Sequence, residues 1–162
     1  MRPAQIIACA IATAALAASA NAQLLNHKDL SLATALTIAN TAAETCKTQG
    51  NRVSVTVVGR TGEAIVQLRG DDASPHTIEN SQRKAYTART FRGSTADVAD
   101  RLQKNPRPSA LHLAGISVDG GGLPIKIGED VIGGVGVSGS PGGDKDEACA
   151  KAGLDKVADQ LK

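Results

Sequence analysis

Two runs of β-forming residues in the last third of the chain give the clearest pattern of the sequence. The runs cover residues 123–127 and 131–137, and a short polar connection separates them. β-branched residues on both sides of such a connection are typical of a β-hairpin. The second run contains Gly133, Gly134 and Gly136, so it has few side chains to pack. The sequence therefore predicts a central hairpin that a helix, a ligand or a second subunit approaches closely.

Apolar residues recur every three or four positions in four other stretches, which is the spacing of an amphipathic helix. The first of these helices has an alanine-rich apolar stripe, so it can lie close to a sheet. Serine or threonine precedes the apolar positions of three stretches and can cap each helix. The predicted helices cover 31–47, 77–91, 94–103 and 144–161, with Ser31, Thr77 and Ser94 as the caps.

Three more stretches are predicted to be strands. Residues 53–58 and 64–69 are rich in β-branched residues, and the glycine-containing turn 59–62 between them indicates a second hairpin. Residues 111–118 follow two prolines and are predicted to form a fifth strand. Consecutive strands joined by tight turns favour an antiparallel sheet, with the helices covering its faces. The sequence thus predicts an α/β fold of the α+β type.

The first 22 residues have the features of a secretory signal peptide. A charged start is followed by an apolar run from Ile6 to Ala18 and by a small-residue site that ends at Ala22. We expect cleavage after Ala22 and a periplasmic or secreted protein. The remaining residues, 23–162, are predicted to form one domain. The apolar run from Ile6 to Ala18 is too short to span a membrane permanently. Later apolar runs also stay well below the roughly 20 residues that a membrane helix needs.

Charge and composition argue against two classes of partner. The formal net charge is +2, and it falls by one when residues 1–22 are removed, because that segment carries Arg2 and no acidic residue. A nearly neutral chain with interspersed charges gives no basis for binding nucleic acid or an anionic membrane. The aromatic residues are Tyr86 and Phe91, so stacking on bases is not expected either.

Two cysteines remain after the expected cleavage, Cys46 and Cys149. In an exported protein a single pair without a CxxC motif is expected to form a disulfide rather than a metal site or a nucleophile. This bridge would join the first predicted helix to the last. In the chain-entropy model, closing a loop of about 100 residues reduces the entropy of the unfolded chain. This raises the free energy of the unfolded chain by roughly 4.7 kcal/mol at 25 °C.

The three histidines, His27, His76 and His112, do not have the spacing of zinc ligands. One histidine is enough, however, to serve as an axial ligand of haem iron. His76 is the preferred metal ligand, because it lies in a turn directly after Pro75, beside a charged helix. The other predicted cofactor contacts on this helix, which include a cation for a carboxylate or propionate, are Glu79, Arg83 and Lys84. The alternative is that these charges form a solvated helix face.

Two other motifs carry little weight. Gly134, Gly136 and Gly139 match the pattern G-x-G-x-x-G, but a dinucleotide site needs this pattern at a turn from strand to helix, and here it falls within a predicted strand. Ser138 is not part of the G-x-S-x-G motif of a hydrolase nucleophile. We therefore interpret both as features of the strand and its end.

Four segments together resemble the GlcG/HbpS family of haem-binding and related small proteins. They are residues 76–88, 120–125, 133–139 and 146–150. The resemblance implies a profilin-like three-layer α/β/α sandwich with a five-stranded antiparallel sheet, and assembly into homo-oligomers. It also implies binding of haem or, in some relatives, a corrinoid. It transfers no iron ligand residue by residue, so the choice of His76 and its neighbours rests on local chemistry.

Three functions follow from these observations. The first is an exported protein that binds haem or a related tetrapyrrole. The second is an oligomeric accessory or structural protein without a cofactor. The third is an enzyme acting on a small organic acid or carbohydrate, with Glu79, Lys84 or Tyr86 as acid or base. The sequence lacks a convincing acid and base pair, which favours a protein without catalytic activity.

Overall fold

The computed structural model describes residues 24–106, 109 and 112–162. The predicted signal peptide, residues 1–22, lies outside them. Within the described part, the helices and strands follow one another in the order helix, hairpin, two helices, hairpin, helix. Their bounds are α1 (Leu32–Thr48), β1 (Ser54–Val58), β2 (Ala64–Arg69), α2 (Thr77–Phe91), α3 (Thr95–Lys104), β3 (Gly122–Ile127), β4 (Asp130–Ser138) and α4 (Gly143–Lys156), followed by a 3-10 turn (Ala158–Gln160).

The four strands form one antiparallel sheet in the order β2-β1-β4-β3. Both predicted hairpins are confirmed, and strand β4, the glycine-containing strand, pairs with β1 on one side and β3 on the other. All five residues of β1 are buried. β1 and β4 are therefore the centre of the sheet. The hairpin predicted to be central is central only in β4, because β3 pairs with β4 alone and lies at the edge of the sheet.

One face of the sheet forms the apolar core with α1 and α4. Valines that alternate along the inner strands, such as Val55 and Val135, meet a stripe of small residues on α1, among them Ala35 and Ala39. Short side chains let the helix lie close to the sheet, as the alanine-rich stripe predicted. The predicted disulfide Cys46–Cys149 is confirmed in this layer, and it joins α1 to α4 with a Cα–Cα distance of 5.6 Å.

Helix α2 covers the opposite face, and the glycines of β4 make room for it. A Cβ atom at Gly134 would lie 2.3 Å from the carbonyl oxygen of Ala85, and one at Gly136 would lie 2.1 Å from that of Ser81. Side chains at these positions would displace the helix backbone. The close neighbour that the glycines predicted is therefore helix α2.

The strand predicted at 111–118 is wrong, so the sheet in the described part of the chain has four strands rather than five. Residues 112–118 form turns and irregular backbone. Gly115 adopts a φ of +82°, which breaks an extended conformation. The backbone N–H of Ser117 donates to the hydroxyl of Thr87 on α2, 2.9 Å away, instead of to a neighbouring strand. Ile116 is buried nonetheless, which explains its apolar character.

Two of the three predicted caps are confirmed. Ser31 and Ser94 accept hydrogen bonds from backbone N–H groups in the first turns of α1 and α3. Thr77 is not the cap of α2. It is the first helical residue, and its hydroxyl binds the carbonyl of Ser74 and the hydroxyl of Ser54. His76 therefore occupies the cap position, without a capping hydrogen bond from its side chain.

The last helix ends at Lys156 rather than at Leu161, and the 3-10 turn follows it. None of the helices in the described residues has both the length and the apolar character of a membrane span.

Candidate functional site

Helix α2 and its cap residue His76 carry all four residues predicted to contact a cofactor, but these residues do not face the same place. His76, Glu79 and Arg83 are exposed, whereas Lys84 is buried. The difference arises because α2 lies flat on the sheet, so that only its outer side meets solvent. Residues 76, 79 and 83 follow the three- and four-residue spacing of one helix side.

A polar cleft of about 390 Å³ lies where the start of α2, the end of β4 and the start of α4 meet. His76 is at this cleft and Lys84 also lines it. Its other lining residues include Asn80, Ser138 and Asp146.

Lys84 and Asp146 form a buried ion pair in the polar cleft. The Lys84 Nζ atom lies 2.9 Å from Asp146 Oδ2, and the two side chains are 4% and 3% exposed. The other carboxylate oxygen, Asp146 Oδ1, accepts the backbone N–H of Ser140 at 3.0 Å. The pair thus joins α2 to α4 and also fixes the connection before α4.

Polar side chains continue from the ion pair along α2. The Asn80 amide donates to Ser138 Oγ at 3.1 Å and accepts from Ser117 Oγ at 3.2 Å. Farther along the interface, the Thr56 and Ser81 hydroxyls are 2.8 Å apart. Because these groups satisfy one another, α2 can lie on the sheet through hydrogen bonds where the glycines leave no apolar side chains.

Glu79 and Arg83 belong to the same exposed stripe of α2 as His76, but they also line a second groove, which flanks this stripe on the side away from the polar cleft. The two side chains form an ion pair with each other, four residues apart on the helix. Tyr86 and Gly115 also line this groove, which has a volume of about 400 Å³. The predicted site is thus divided, with His76 and Lys84 at the polar cleft and Glu79 and Arg83 at the Tyr86 groove.

The donors of the described residues suit a single axial ligand better than a metal cluster. No group of three or more histidine, cysteine or acidic side chains in the described ranges could hold a metal ion together. His27, His76 and His112 are all exposed, so each imidazole is accessible. The His76 side chain forms no hydrogen bond with another described residue and lies at the polar cleft, so its imidazole nitrogens are accessible to a ligand.

Sequence reasoning missed Asp146 as the partner of Lys84. The only signal in the sequence is its place in the acidic first turn of α4, and acidic residues are common there because they interact favourably with the helix dipole. The next residue, Glu147, points to a different groove, near Leu123. Partial burial, and secondarily the charge of Asp97, raise the pKa of Glu147 above the usual value of a glutamate.

Comparison with known proteins places these features in a family. Residues 30–155 match the family model described as "Haem degrading protein HbpS-like". A 15.0 kDa protein of Citrobacter freundii, from the dhaT-dhaS intergenic region, is 36% identical over 106 residues, which are 64% of this chain and 74% of that protein.

Solved structures agree with this result. The crystal structure of HbpS is 37% identical and superposes with a TM-score of 0.78, over 82% of this chain and 93% of that one. The crystal structure of the PduOC:heme complex is 25% identical and has a TM-score of 0.71, over 78% of this chain and 94% of that one.

Proposed function

Because the chain belongs to the HbpS-like family, as its resemblance to the GlcG/HbpS proteins predicted, we propose that it binds haem or a related tetrapyrrole. The family description names haem, and one similar structure is a complex with heme. Both observations support a tetrapyrrole over the other two functions that the sequence left open. When bound, the haem would supply an iron centre for ligand or redox chemistry.

The observation that carries the proposal is the exposed imidazole of His76 at the start of α2. An accessible histidine next to a cleft can serve as an axial iron ligand. Arg83 lies two helical turns, about 10 Å, farther along the same side of α2. Its guanidinium could pair with a propionate in place of Glu79, since both side chains are largely exposed.

Two further parts of the proposal concern the protein in the cell. We propose that it is exported after cleavage following Ala22, because residues 1–22 have the composition of a signal peptide. We also propose that it forms a homo-oligomer, as the family resemblance implies. Light scattering of the purified protein measures the mass of the assembly, and a monomeric mass would contradict the second part.

Titration of hemin into the purified protein lacking residues 1–22 tests the binding. We expect a saturable Soret band, and we expect His76→Ala to weaken or shift it because the axial nitrogen is lost. His27→Ala and His112→Ala are matched controls, since they remove the other two exposed imidazoles and should leave the band unchanged.

Other outcomes identify other functions. If no Soret band forms, the haem proposal is wrong, and a stable assembly without a spectral change indicates an accessory protein. If the band forms equally in all three variants, His76 is not the ligand. Following the band over time with ascorbate in air separates binding alone from degradation, which the family description names.

A further inference from the structure

The sheet has two outer strands, β2 and β3, and each has one unpaired edge in the described part of the chain. The N–H and C=O groups at such an edge can pair with a strand of another molecule. The two edges of this sheet are not equivalent, because they differ in the backbone groups that they leave free.

The edge of β3 is closed at its start. The carbonyl of Gly121 accepts the backbone N–H of Val137 at 2.9 Å. Because the facing direction alternates along an antiparallel strand, Gly122 and Pro124 direct their backbone groups away from β4. The Gly122 N–H is bonded to Thr95 Oγ1 at 3.0 Å, and a proline has no N–H. The start of β3 therefore offers no free donor to another strand.

The edge of β2 is open. The bonds to β1 fix its facing direction at both ends, since the Gly70 N–H donates to the Val53 carbonyl and the Gly59 N–H donates to the Glu63 carbonyl, each at 2.9 Å. A β-bulge at Ile65 interrupts the alternation between these two ends. The residues that direct their backbone groups to the free edge are Ala64, Gln67 and Arg69. The strand contains no proline, so all three positions keep an N–H for a partner strand.

An apolar side of α1 lies next to this open edge. Leu32 and Leu36 are 58% and 38% exposed, and Ala43 continues the same side of the helix. Ala43 lines a groove with the end of β2. The opposite side of α1 faces the end of the chain, where Thr34 Oγ1 donates to Gln160 Oε1 at 3.0 Å. The first three turns of α1 carry no charge, and an exposed apolar surface of this kind is typical of an interface.

We propose that the free edge of β2 and the leucine side of α1 bind a second copy of the chain. The two β2 strands pair antiparallel around a two-fold axis at Gln67, so that Gln67 faces itself and Arg69 faces Ala64 of the other copy. In this register every residue of β2 with free backbone groups is paired, and Leu68 lies opposite Val66 on the face that α1 covers. The two four-stranded sheets thus join into one continuous sheet.

Size and charge favour a second copy as the partner. A stable interface buries about 800 Å² on each partner, which is more than a single edge strand supplies. The two-fold axis adds to this area, because it places the leucine sides of the two α1 helices against each other. The groove at the end of β2 is lined by three basic and three acidic residues, and Arg69 faces an uncharged residue, so two copies meet without net repulsion. This inference rests on the homo-oligomer proposed above and names the surface that forms it.

Cross-linking tests the pairing of the two strands. Residues that face each other in a hydrogen-bonded antiparallel pair have Cα atoms about 5.5 Å apart, which a disulfide can span. We expect Gln67→Cys to form a covalent dimer under mild oxidation, seen on a gel without reductant. Lys126→Cys is the matched control, because Lys126 is an exposed residue of the other outer strand and should not cross-link.

Charges introduced on α1 test the contact between the helices. We expect Leu32→Lys combined with Leu36→Lys to weaken self-association at least tenfold, because four like charges would meet in the interface. Both leucines are exposed in the single chain, so the fold should persist, which circular dichroism checks. Leu113→Lys is the matched control, since it changes an exposed leucine outside α1 and β2 and should leave the assembly unchanged. Light scattering over a series of protein concentrations measures all three proteins.

The outcomes separate this inference from the proposed homo-oligomer. Cross-linking of Gln67→Cys together with a lower mass of the α1 double variant supports the β2 interface. If the protein assembles but neither substitution differs from its control, the homo-oligomer stands and the β2 interface is wrong. A monomeric mass of the unsubstituted protein at every concentration would overturn both.

Discussion

The pair Lys84 and Asp146 shows how single residues hold the layers of this protein together. Removing two charges from water is costly, and the attraction between them repays that cost only when the geometry is good. Here the two charged atoms are 2.9 Å apart and the Ser140 N–H adds a bond to the carboxylate. Since the partners come from α2 and α4, the pair connects helices on opposite faces of the sheet.

Removal of one partner should therefore be much more damaging than removal of both. Lys84→Met leaves the Asp146 carboxylate buried without its cation, and we expect a loss of about 3–5 kcal/mol in the free energy of unfolding. Lys84→Met combined with Asp146→Leu removes both charges and should recover a large part of this loss. Urea denaturation followed by circular dichroism measures both variants.

The test depends on whether the double variant is more stable than Lys84→Met. If the double variant is no more stable than Lys84→Met, the loss comes from packing rather than from an uncompensated charge. Arg83→Met is a suitable control, because Arg83 pairs with Glu79 on the exposed surface and its loss should cost at most about 1 kcal/mol.

At the scale of elements, the position of α2 is set by the absence of side chains on β4. The α2 backbone passes over Gly134 and Gly136 at distances that exclude a Cβ atom. The hydroxyls of Ser81 and Thr56 bond to each other at 2.8 Å across the same contact. The helix that begins after His76 and carries Lys84 is thus held by close backbone contact and hydrogen bonds.

Gly136→Ala tests this close contact. Its Cβ would lie 2.1 Å from the carbonyl oxygen of Ser81, which is backbone and cannot move alone, so we expect a loss of about 1–3 kcal/mol in unfolding free energy. Gly93→Ala is the control, since its Cβ would have ordinary contacts only. It should change the free energy of unfolding by about 0.5 kcal/mol at most. Equal stabilities of the two variants would contradict the proposed packing.

For the whole molecule, the disulfide closes the fold across most of its length. Cys46 and Cys149 are 103 residues apart in the chain, and both side chains are fully buried between α1 and α4. The elements between them include the whole sheet and α2. The bridge therefore restricts the unfolded chain far more than a local bridge would.

We expect the free energy of unfolding of the variant Cys46→Ala/Cys149→Ala to be about 2–5 kcal/mol lower than that of the bridged protein. Urea denaturation with and without dithiothreitol measures the effect. The reductant should destabilise the unsubstituted protein and leave the double variant unchanged. A double variant as stable as the bridged protein would show that the bridge contributes little beyond the α1 and α4 packing.

Local patterns allowed much of the fold to be predicted from the sequence. Spacing of apolar residues predicted the helices, β-branched runs predicted both hairpins, and the glycines of β4 predicted a close neighbour. These features depend on residues near one another in the chain. The prediction of a strand at 111–118 is wrong because a short apolar run such as Leu113 to Ile116 has the same pattern in a strand and in a partly buried irregular segment. Their hydrogen bonds to α2 decide between the two.

The candidate site could be predicted only in part. The sequence placed Glu79, Arg83 and Lys84 on one helix and His76 directly before it, and helix formation is local. Which side of that helix is buried depends on the sheet beneath it, so only the tertiary structure separated Lys84 from Arg83. The pairing of Lys84 with Asp146 joins residues 62 positions apart, and no local pattern reports such a contact. The sequence by itself determined the two hairpins, the helices between and around them and the cysteine pair. The three-dimensional packing decided the fate of residues 112–118 and which charges meet, because burial and proximity arise only when distant elements come together.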